Sequence, residues 1–430
     1  MARFRPVLST VLAAALGSVL LTSCSSDPTP TAVTIGWADK THQAVRLSWK
    51  DSNAPNRISI EGVVSASPSY VKYLAAAEPN TWAIPTSAFP PDGNYKIAVS
   101  VGTSSGGITS KAARSAMFDT DGPVKPVDAL AQPSGKDVVV TWKVPPPSQD
   151  FTPGDPLDLP AGRQLYLPVV GLPGQPFKVA GPGTTATRQV LKNVKSPYLF
   201  QLRAANEWSS LVGGVISARV SWTTASIPPL ATFGRQILIH GRTIQQEVSC
   251  AESRCVAQRI TSAGLPIVML AQSKAGAPWG VVGRATTMAG GHFQVRVNTA
   301  ATRSYRAYTL GSSRPGSLSA ASSSPAGLTR SRLQVAAAGY LKGNVKRRNE
   351  VVTATVLARP VVNGAATLQF WTGKAWASVK SVPIAGGRAT ISFKATKPGL
   401  FAYRFLLPGT AYLGRPVFGT ATGSMVLRVL

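Results

Sequence analysis

The chain has 430 residues, 44% of them apolar, enough for roughly three or four ordinary cores and too apolar for wholesale disorder. Only 14% of the residues are charged, while Gly and Pro number 39 and 34, a balance that reads as tandem all-β domains joined by many turns. The formal net charge is +28 and unevenly placed: residues 1–207 hold 19 Lys/Arg against 14 Asp/Glu, and residues 208–430 hold 26 against 3. A field of that sign attracts polyanions and acidic surfaces.

The chain opens Met1-Ala2-Arg3-Phe4-Arg5, a basic start, and runs almost wholly apolar from Pro6 to Leu21. That run suits the apolar region of a signal peptide and is short of the roughly 20 residues a bilayer span needs. It ends Leu21-Thr22-Ser23-Cys24, which resembles the bacterial lipobox. The resemblance implies removal of residues 1–23, diacylglycerol on Cys24, and a protein held on the membrane by its N-terminal lipid, facing out of the cytoplasm. The alternative is an ordinary cleaved signal with a chance cysteine, which three cysteines in the whole chain disfavour. Residues 24–31 (Cys-Ser-Ser-Asp-Pro-Thr-Pro-Thr) form an extended tether. Export also argues against nucleic acid as the partner of the basic half. Anionic cell-wall polymer, anionic lipid headgroups and acidic glycans are the candidates, beside a generally basic surface with no specific partner.

Four modules follow in chain order. In the first, Val45, Leu47 and Trp49 alternate on one face of an early strand, and Tyr95 to Val101 alternate in a late one. The second repeats this plan with Asp137 to Trp142 and Tyr198 to Asn206. The Val-x-Leu/Val-x-Trp strand, the Tyr-led late strand and the Ala-x-Asn that ends it resemble fibronectin type III domains. The resemblance places two such domains at 32–121 and 122–224. A Pro/Gly-rich insert, 145–183, leaves the middle strands of the second undefined. The third and fourth modules repeat each other: Ile267 to Leu270 with Ala366 to Leu368, Trp279 with Trp376, Gly290-Gly291 with Gly386-Gly387, Phe293 to Val297 with Ala389 to Phe393, and Tyr305-Arg306 with Tyr403-Arg404. The pattern resembles the bacterial immunoglobulin-like repeats of actinobacterial surface proteins, at 231–335 and 336–430. Pro228-Pro229 is expected to stiffen the junction between the two halves. The fold class is therefore tandem β-sandwiches.

Cys250 and Cys255 are expected to pair, since two nearby thiols outside the cytoplasm oxidise. The rival metal site lacks nearby ligands, with His240 the closest histidine. No cofactor, metal or catalytic constellation is expected. Three histidines lie scattered, the basic half offers only Glu247, Glu252 and Glu350 as acids, and neither a nucleophile elbow nor a phosphate loop is present.

Trp49, Trp142, Trp279 and Trp376 are expected in cores. Trp208, in a loop, and Trp371, out of phase with Leu368 and Phe370, are candidate contact residues, or else pack against a neighbouring module. Lys342, Lys346, Arg347 and Arg348 form the densest positive cluster, read equally as a polyanion contact or as edge protection. The leading reading is a non-enzymatic, lipid-anchored surface protein for adhesion, wall association or protein assembly. The alternative is a polysaccharide-binding accessory to secreted hydrolases. Cys24→Ala should abolish lipidation, so that detergent phase separation recovers the variant as soluble or unprocessed protein. Unchanged recovery in the detergent phase would remove the lipobox assignment.

Overall fold

The computed structural model describes residues 27–63, 69–160, 164–251 and 254–430; the expected signal peptide and Cys24 lie outside them. The described residues are β-strands, turns and two single-turn 3-10 segments, so the expected all-β class holds. None of their helices is long and apolar enough to cross a membrane. The chain divides into two compact units. The first comprises the described residues of Met1–Pro123, Pro147–Arg163 and Ala205–Ser210, and the second Val124–Pro146, Gln164–Ala204 and Leu211–Leu430.

In the first unit, β1 (Thr31–Trp37), β2 (Ala44–Lys50) and β5 (Thr81–Pro85) form one sheet. The other is built on β3 (Asn56–Gly62), β4 (Tyr70–Leu74) and β6 (Asn94–Thr103). Val45, Leu47 and Trp49 point inward as their spacing requires, against Ile58 and Ile60 of β3 and Ile97 and Val99 of β6.

The second unit begins with a sheet of β7 (Val127–Ser134), β8 (Asp137–Lys143) and β10 (Arg188–Leu191). Facing it are β9 (Leu165–Gly171), β11 (Tyr198–Ala205) and β12 (Ser210–Ser226). The undefined middle strand is β9, inside the Pro/Gly-rich insert, with Tyr166 and Val170 in the core beside Trp142 and Phe200.

The 17-residue β12 serves two sandwiches. Its Ile216 and Ala218 enter the core of module two. Its residues from Val220 to Ser226 pair antiparallel with Gln246 to His240 of β14 (Gln236–Cys250), and Ala225 packs on the core of module three. Position 224 therefore falls inside a strand. Pro228-Pro229 sits within module three instead of between the halves, where the chain crosses from β12 to β13 (Leu230–Thr232) in the opposite sheet.

A buried hydroxyl cluster fastens this shared strand. Thr223 Oγ1 lies 2.6 Å from Thr309 Oγ1 and 2.7 Å from Ser322 Oγ, and Thr243 lies 3.1 Å from Thr309. Nearby, Gln245 Nε2 donates to Ser319 at 3.0 Å while its Oε1 accepts from Ser262 at 3.1 Å. Buried polar groups satisfied by one another hold a single arrangement, because an unpaired one costs about 1–3 kcal/mol.

β14 and β15 (Cys255–Ile260) form a hairpin whose last pair, Cys250 opposite Cys255, is the expected disulfide. The hairpin tip bonds to the turn after β9: Gly174 N–H donates to Cys255 O, and Cys255 N–H to Gln175 O, both at 2.9 Å.

Module three continues with β16 (Pro266–Gln272), β17 (Gly280–Thr286), β18 (His292–Asn298), β19 (Arg303–Thr309) and β20 (Gly327–Arg332). Module four follows as β21 (Gln334–Leu341), β22 (Val345–Lys346), β23 (Val351–Arg359), β24 (Gly364–Trp371), β25 (Trp376–Ala385), β26 (Arg388–Lys394), β27 (Gly399–Leu407) and β28 (Met425–Val429). The duplication is topological as well as sequential. In each copy a short early strand pairs parallel with the last one, β13 with β20 and β22 with β28.

The paired glycines have one job in both copies. Gly291 (φ +75°) and Gly387 (φ +78°) pass so close to the neighbouring strand that a Cβ would overlap the carbonyl oxygen of Thr243 or Ala358. Gly386 (φ +59°) is left-handed too but has open space around it. Gly386→Ala should thus cost about 1 kcal/mol, the left-handed penalty alone. Gly387→Ala should cost about 3 kcal/mol, because strand β23 must also move. Denaturant unfolding followed through the module-four tryptophans reads the difference; equal losses would refute the close approach.

Candidate functional site

Of the two readings of Trp208, contact residue or packing against a neighbouring module, the structure has the packing one: it is 8% exposed and belongs to the core of the first unit. Asn206 turns its loop inward. The Asn206 side-chain oxygen accepts the backbone N–H groups of Trp208 and Ser209, both at 3.1 Å, and its amide donates to Asp121 O at 2.7 Å. The indole stacks on Phe118 and meets Trp37 and Phe89. Its ring partners come from three earlier segments, so the local sequence could not reveal the cage. Trp208 is a packing residue and not a contact residue.

Trp279 and Trp376 depart from expectation. Both are only half-buried, unlike Trp49 and Trp142 at 5% exposure. Each lies under the arginine of its own Tyr-Arg pair: Arg306 Cζ is 4.2 Å from the Trp279 ring centroid, and Arg404 Cζ 4.4 Å from that of Trp376. The repeated Trp and Arg are thus two halves of one cation–π contact on the sheet surface. Trp371 is exposed at 38%, and lies against Trp376 with ring centroids 5.4 Å apart.

The basic run splits. Lys346 is buried, its ammonium 3.0 Å from Glu350 Oε1 and 3.0 Å from Lys342 O, so it is a structural residue and is withdrawn as a contact. Alternation explains this: Val345 faces outward on edge strand β22, which turns Lys346 inward. Lys342, Arg347 and Arg348 are exposed. Glu350 is the one acid among residues 336–430, against 13 Lys/Arg. Hydrogen bonds from Arg347 N–H and the Lys346 ammonium hold its carboxyl below the usual range.

Beside this run the single continuous sheet of module four leaves a cleft of about 280 Å³. Phe370, Phe393, Phe401 and Tyr403 line it, and the turn from Lys394 to Lys397 forms its rim. Burial alone pushes the Tyr403 hydroxyl up from its ordinary value. The backbone joins the basic run to the rim. Asn349 N–H donates to Ala395 O at 2.7 Å, Ala395 N–H to Glu350 O at 3.0 Å, and Arg348 Nε to Thr396 O at 3.2 Å. Sequence reading missed this site. Its aromatic residues sit on β24, β26 and β27, and their alternation alone reads as core.

The first unit carries the opposite charge in one place. Asp119, Asp155 and Asp158 can each bring a carboxylate oxygen within 4.8 Å of the others, a spacing at which three oxygens could share a cation. The Thr152 hydroxyl lies 2.7 Å from Asp119 and 2.9 Å from Asp155, one proton between two acceptors. Desolvation, then the charges of Asp119, Asp150, Asp92 and Asp158, pushes Asp121 up to about 6.

No family model matches the chain, and no curated protein matches it. Among solved structures, a tetra-tandem repeat in the extending region of a large adhesion protein is similar at 12% identity and a TM-score of 0.27, over 92% of this chain and 99% of that one. The chicken CNTN1 FN1–FN3 domains are similar at 14% identity and 0.23, over 70% and 99%. A two-domain fibronectin type III segment of chicken tenascin is similar at 12% and 0.21, over 44% and 98%. Likenesses with TM-scores this low carry no argument about this chain.

The carboxylate cluster generates a pH dependence. The folded value of Asp121, about 6, lies above its ordinary 3.8, so the folded state binds the proton more tightly. Its charge therefore destabilises the first unit above pH 6, and that destabilisation is relieved as pH falls from 7 towards 4. Asp121→Asn should raise the melting temperature at pH 7 and flatten its pH dependence between 4 and 7. A variant as pH-sensitive as the parent would contradict this.

Proposed function

We propose that the chain is a non-enzymatic surface protein, held by a lipid on Cys24, whose C-terminal half associates with an anionic polymer of the cell wall. The observation that carries the reading is the cationic surface of module four, where the one acid is spent on Lys346 and on the backbone of Arg347. Lys342, Arg347 and Arg348 remain exposed around it. A second reading, an accessory that binds neutral polysaccharide, is favoured by exposed Trp371 beside Trp376. An exposed indole face can stack on a sugar ring without help from charge.

The intact chain should bind purified anionic wall polymer with an affinity that falls steeply with salt, since charges are screened beyond roughly 8 Å at physiological ionic strength. Changing Lys342, Arg347 and Arg348 together to Ser should weaken binding by up to about a hundredfold at low salt, at about 1 kcal/mol for each charge near an anionic surface. The salt slope should become shallower. Lys346 is left intact because its removal would disturb the fold. Salt-independent binding to neutral polysaccharide, lost with Trp371→Ala, would favour the second reading. No binding to either would sink both.

A further inference from the structure

We propose that the aromatic cleft of module four is a binding site for an acidic sugar, with a pyranose ring against the aromatic walls and its carboxylate at the lysine rim. The inference rests on the polyanion reading above and narrows it to one place and one ligand chemistry.

Three observations converge. First, the walls are aromatic where the duplicated plan does not require it. Alignment on the shared Gly-Gly and Tyr-Arg pairs sets Phe393 against Val297 and Phe401 against Arg303. Strand register sets Phe370, opposite Tyr403, against Ala271, opposite Tyr305. Three aromatic rings have thus been placed in module four at positions that hold other residues in module three. Second, Phe393, Phe401 and Tyr403 rest on the buried cluster of Val352, Ala395, Leu427 and Val429 but are not covered on their other side. Phe370, Phe393, Phe401 and Tyr403 are all half-buried and line an open cleft of about 280 Å³. Ring centroids lie 5.4 Å apart for Phe370 and Tyr403 and 5.3 Å for Phe393 and Tyr403. Third, the rim is cationic. Lys394 and Lys397 are exposed, Arg348 is bonded to Thr396 between them, and the neighbouring Glu350 carboxylate is engaged elsewhere.

A pyranose has an apolar C–H face and a polar edge. The C–H face suits the negative face of an aromatic ring, and the edge is left to water and to the rim. A carboxylate on that edge meets Lys394 and Lys397 with no nearby free acid to compete. The volume lies just under the roughly 300–1,000 Å³ usual for small-molecule sites, which fits one or two sugar rings.

The test titrates the intact chain with a short oligogalacturonate and with its uncharged methyl ester, using calorimetry at low and physiological salt. The acidic sugar should bind at least tenfold more tightly than the ester. Lys394→Gln with Lys397→Gln should weaken the acidic sugar by ten- to a hundredfold and leave the ester unchanged. Phe401→Leu, which keeps apolar bulk, should weaken both, with unaltered melting as the control for folding. The Lys342, Arg347 and Arg348 triple variant separates the two claims. If long polyanion binding depends on that triple while the oligosaccharide fails to bind, or binds regardless of Lys394, Lys397 and Phe401, the cleft assignment is overturned and the broader reading stands. If the long polymer also fails, both fall. Concentration-dependent self-association lost with Phe401→Leu, without sugar binding, would replace the sugar by a second copy of the chain and overturn the proposal.

Discussion

The second unit depends on one strand that belongs to two cores. β12 supplies Ile216 and Ala218 to module two and, without a break, Ala225 to module three. No flexible linker separates these sandwiches, because the strand that ends one begins the next. The hydroxyl cluster around Thr223 and the amide of Gln245 add directional bonds at the changeover. Apolar packing alone tolerates sliding, whereas hydroxyls and an amide that must find partners fix the register. A second short junction lies lower in the chain, where β20 ends and β21 begins in another sheet with only Leu333 between them. Such joints hold the exposed charges of module four in fixed positions on their sheets.

Charge is distributed in keeping with that build. Modules three and four have almost no acids to neutralise their cations, so most arginines and lysines cannot be explained as ion-pair partners. Some have local employment: Arg306 and Arg404 cover tryptophan rings, while Glu247 is taken by Arg219 of module two at 2.9 Å. Others, including Lys394, Lys397 and Arg347, stand in solvent. Among the described residues the one buried lysine, Lys346 in edge strand β22, meets Glu350 at 3.0 Å. A buried charge with a partner is tolerated, and removing the partner is what destabilises. The basic run is therefore neither wholly contact nor wholly edge protection; alternation on a two-residue strand divides it.

Much of the fold was legible because strands bury every second residue. Val45, Leu47 and Trp49, like Val138, Val140 and Trp142, announce an inward face from sequence alone. The repeat of modules three and four was legible for a similar reason, since Gly291 and Gly387 answer to identical backbone constraints. What was hidden depends on long-range geometry. Trp208 looked like a loop aromatic until Asn206 was seen to fold it towards Phe118 and Trp37. The insert left the middle strands of module two undefined because Pro and Gly mask β9. The cleft was hidden most deeply, because an aromatic lining a cleft and an aromatic filling a core obey the same alternation.

The two copies show how one position acquires different uses. Tyr305 and Tyr403 are equivalent, each following an early position of its strand and preceding the arginine that covers a tryptophan. Tyr305 is wholly buried. The end of module three near it is covered by the segment around Pro416 and Phe418, through Thr302 N–H to Pro416 O at 3.1 Å and Phe418 N–H to Ser331 O at 2.8 Å. Tyr403 has no such cover and forms a wall of the cleft. A surface that meets another module in one copy lines the cleft in the other. There the small or charged residues Ala271 and Arg303 are replaced by Phe370 and Phe401. A solvent-lined cleft would ordinarily be expected to gain polar residues, since exposed apolar area costs about 25 cal/mol per Å² and invites association. The change to aromatic residues runs against that expectation, and a bound ring offers a physical reason for it: the apolar area is then buried for part of the time, by a ligand whose charge the lysine rim selects.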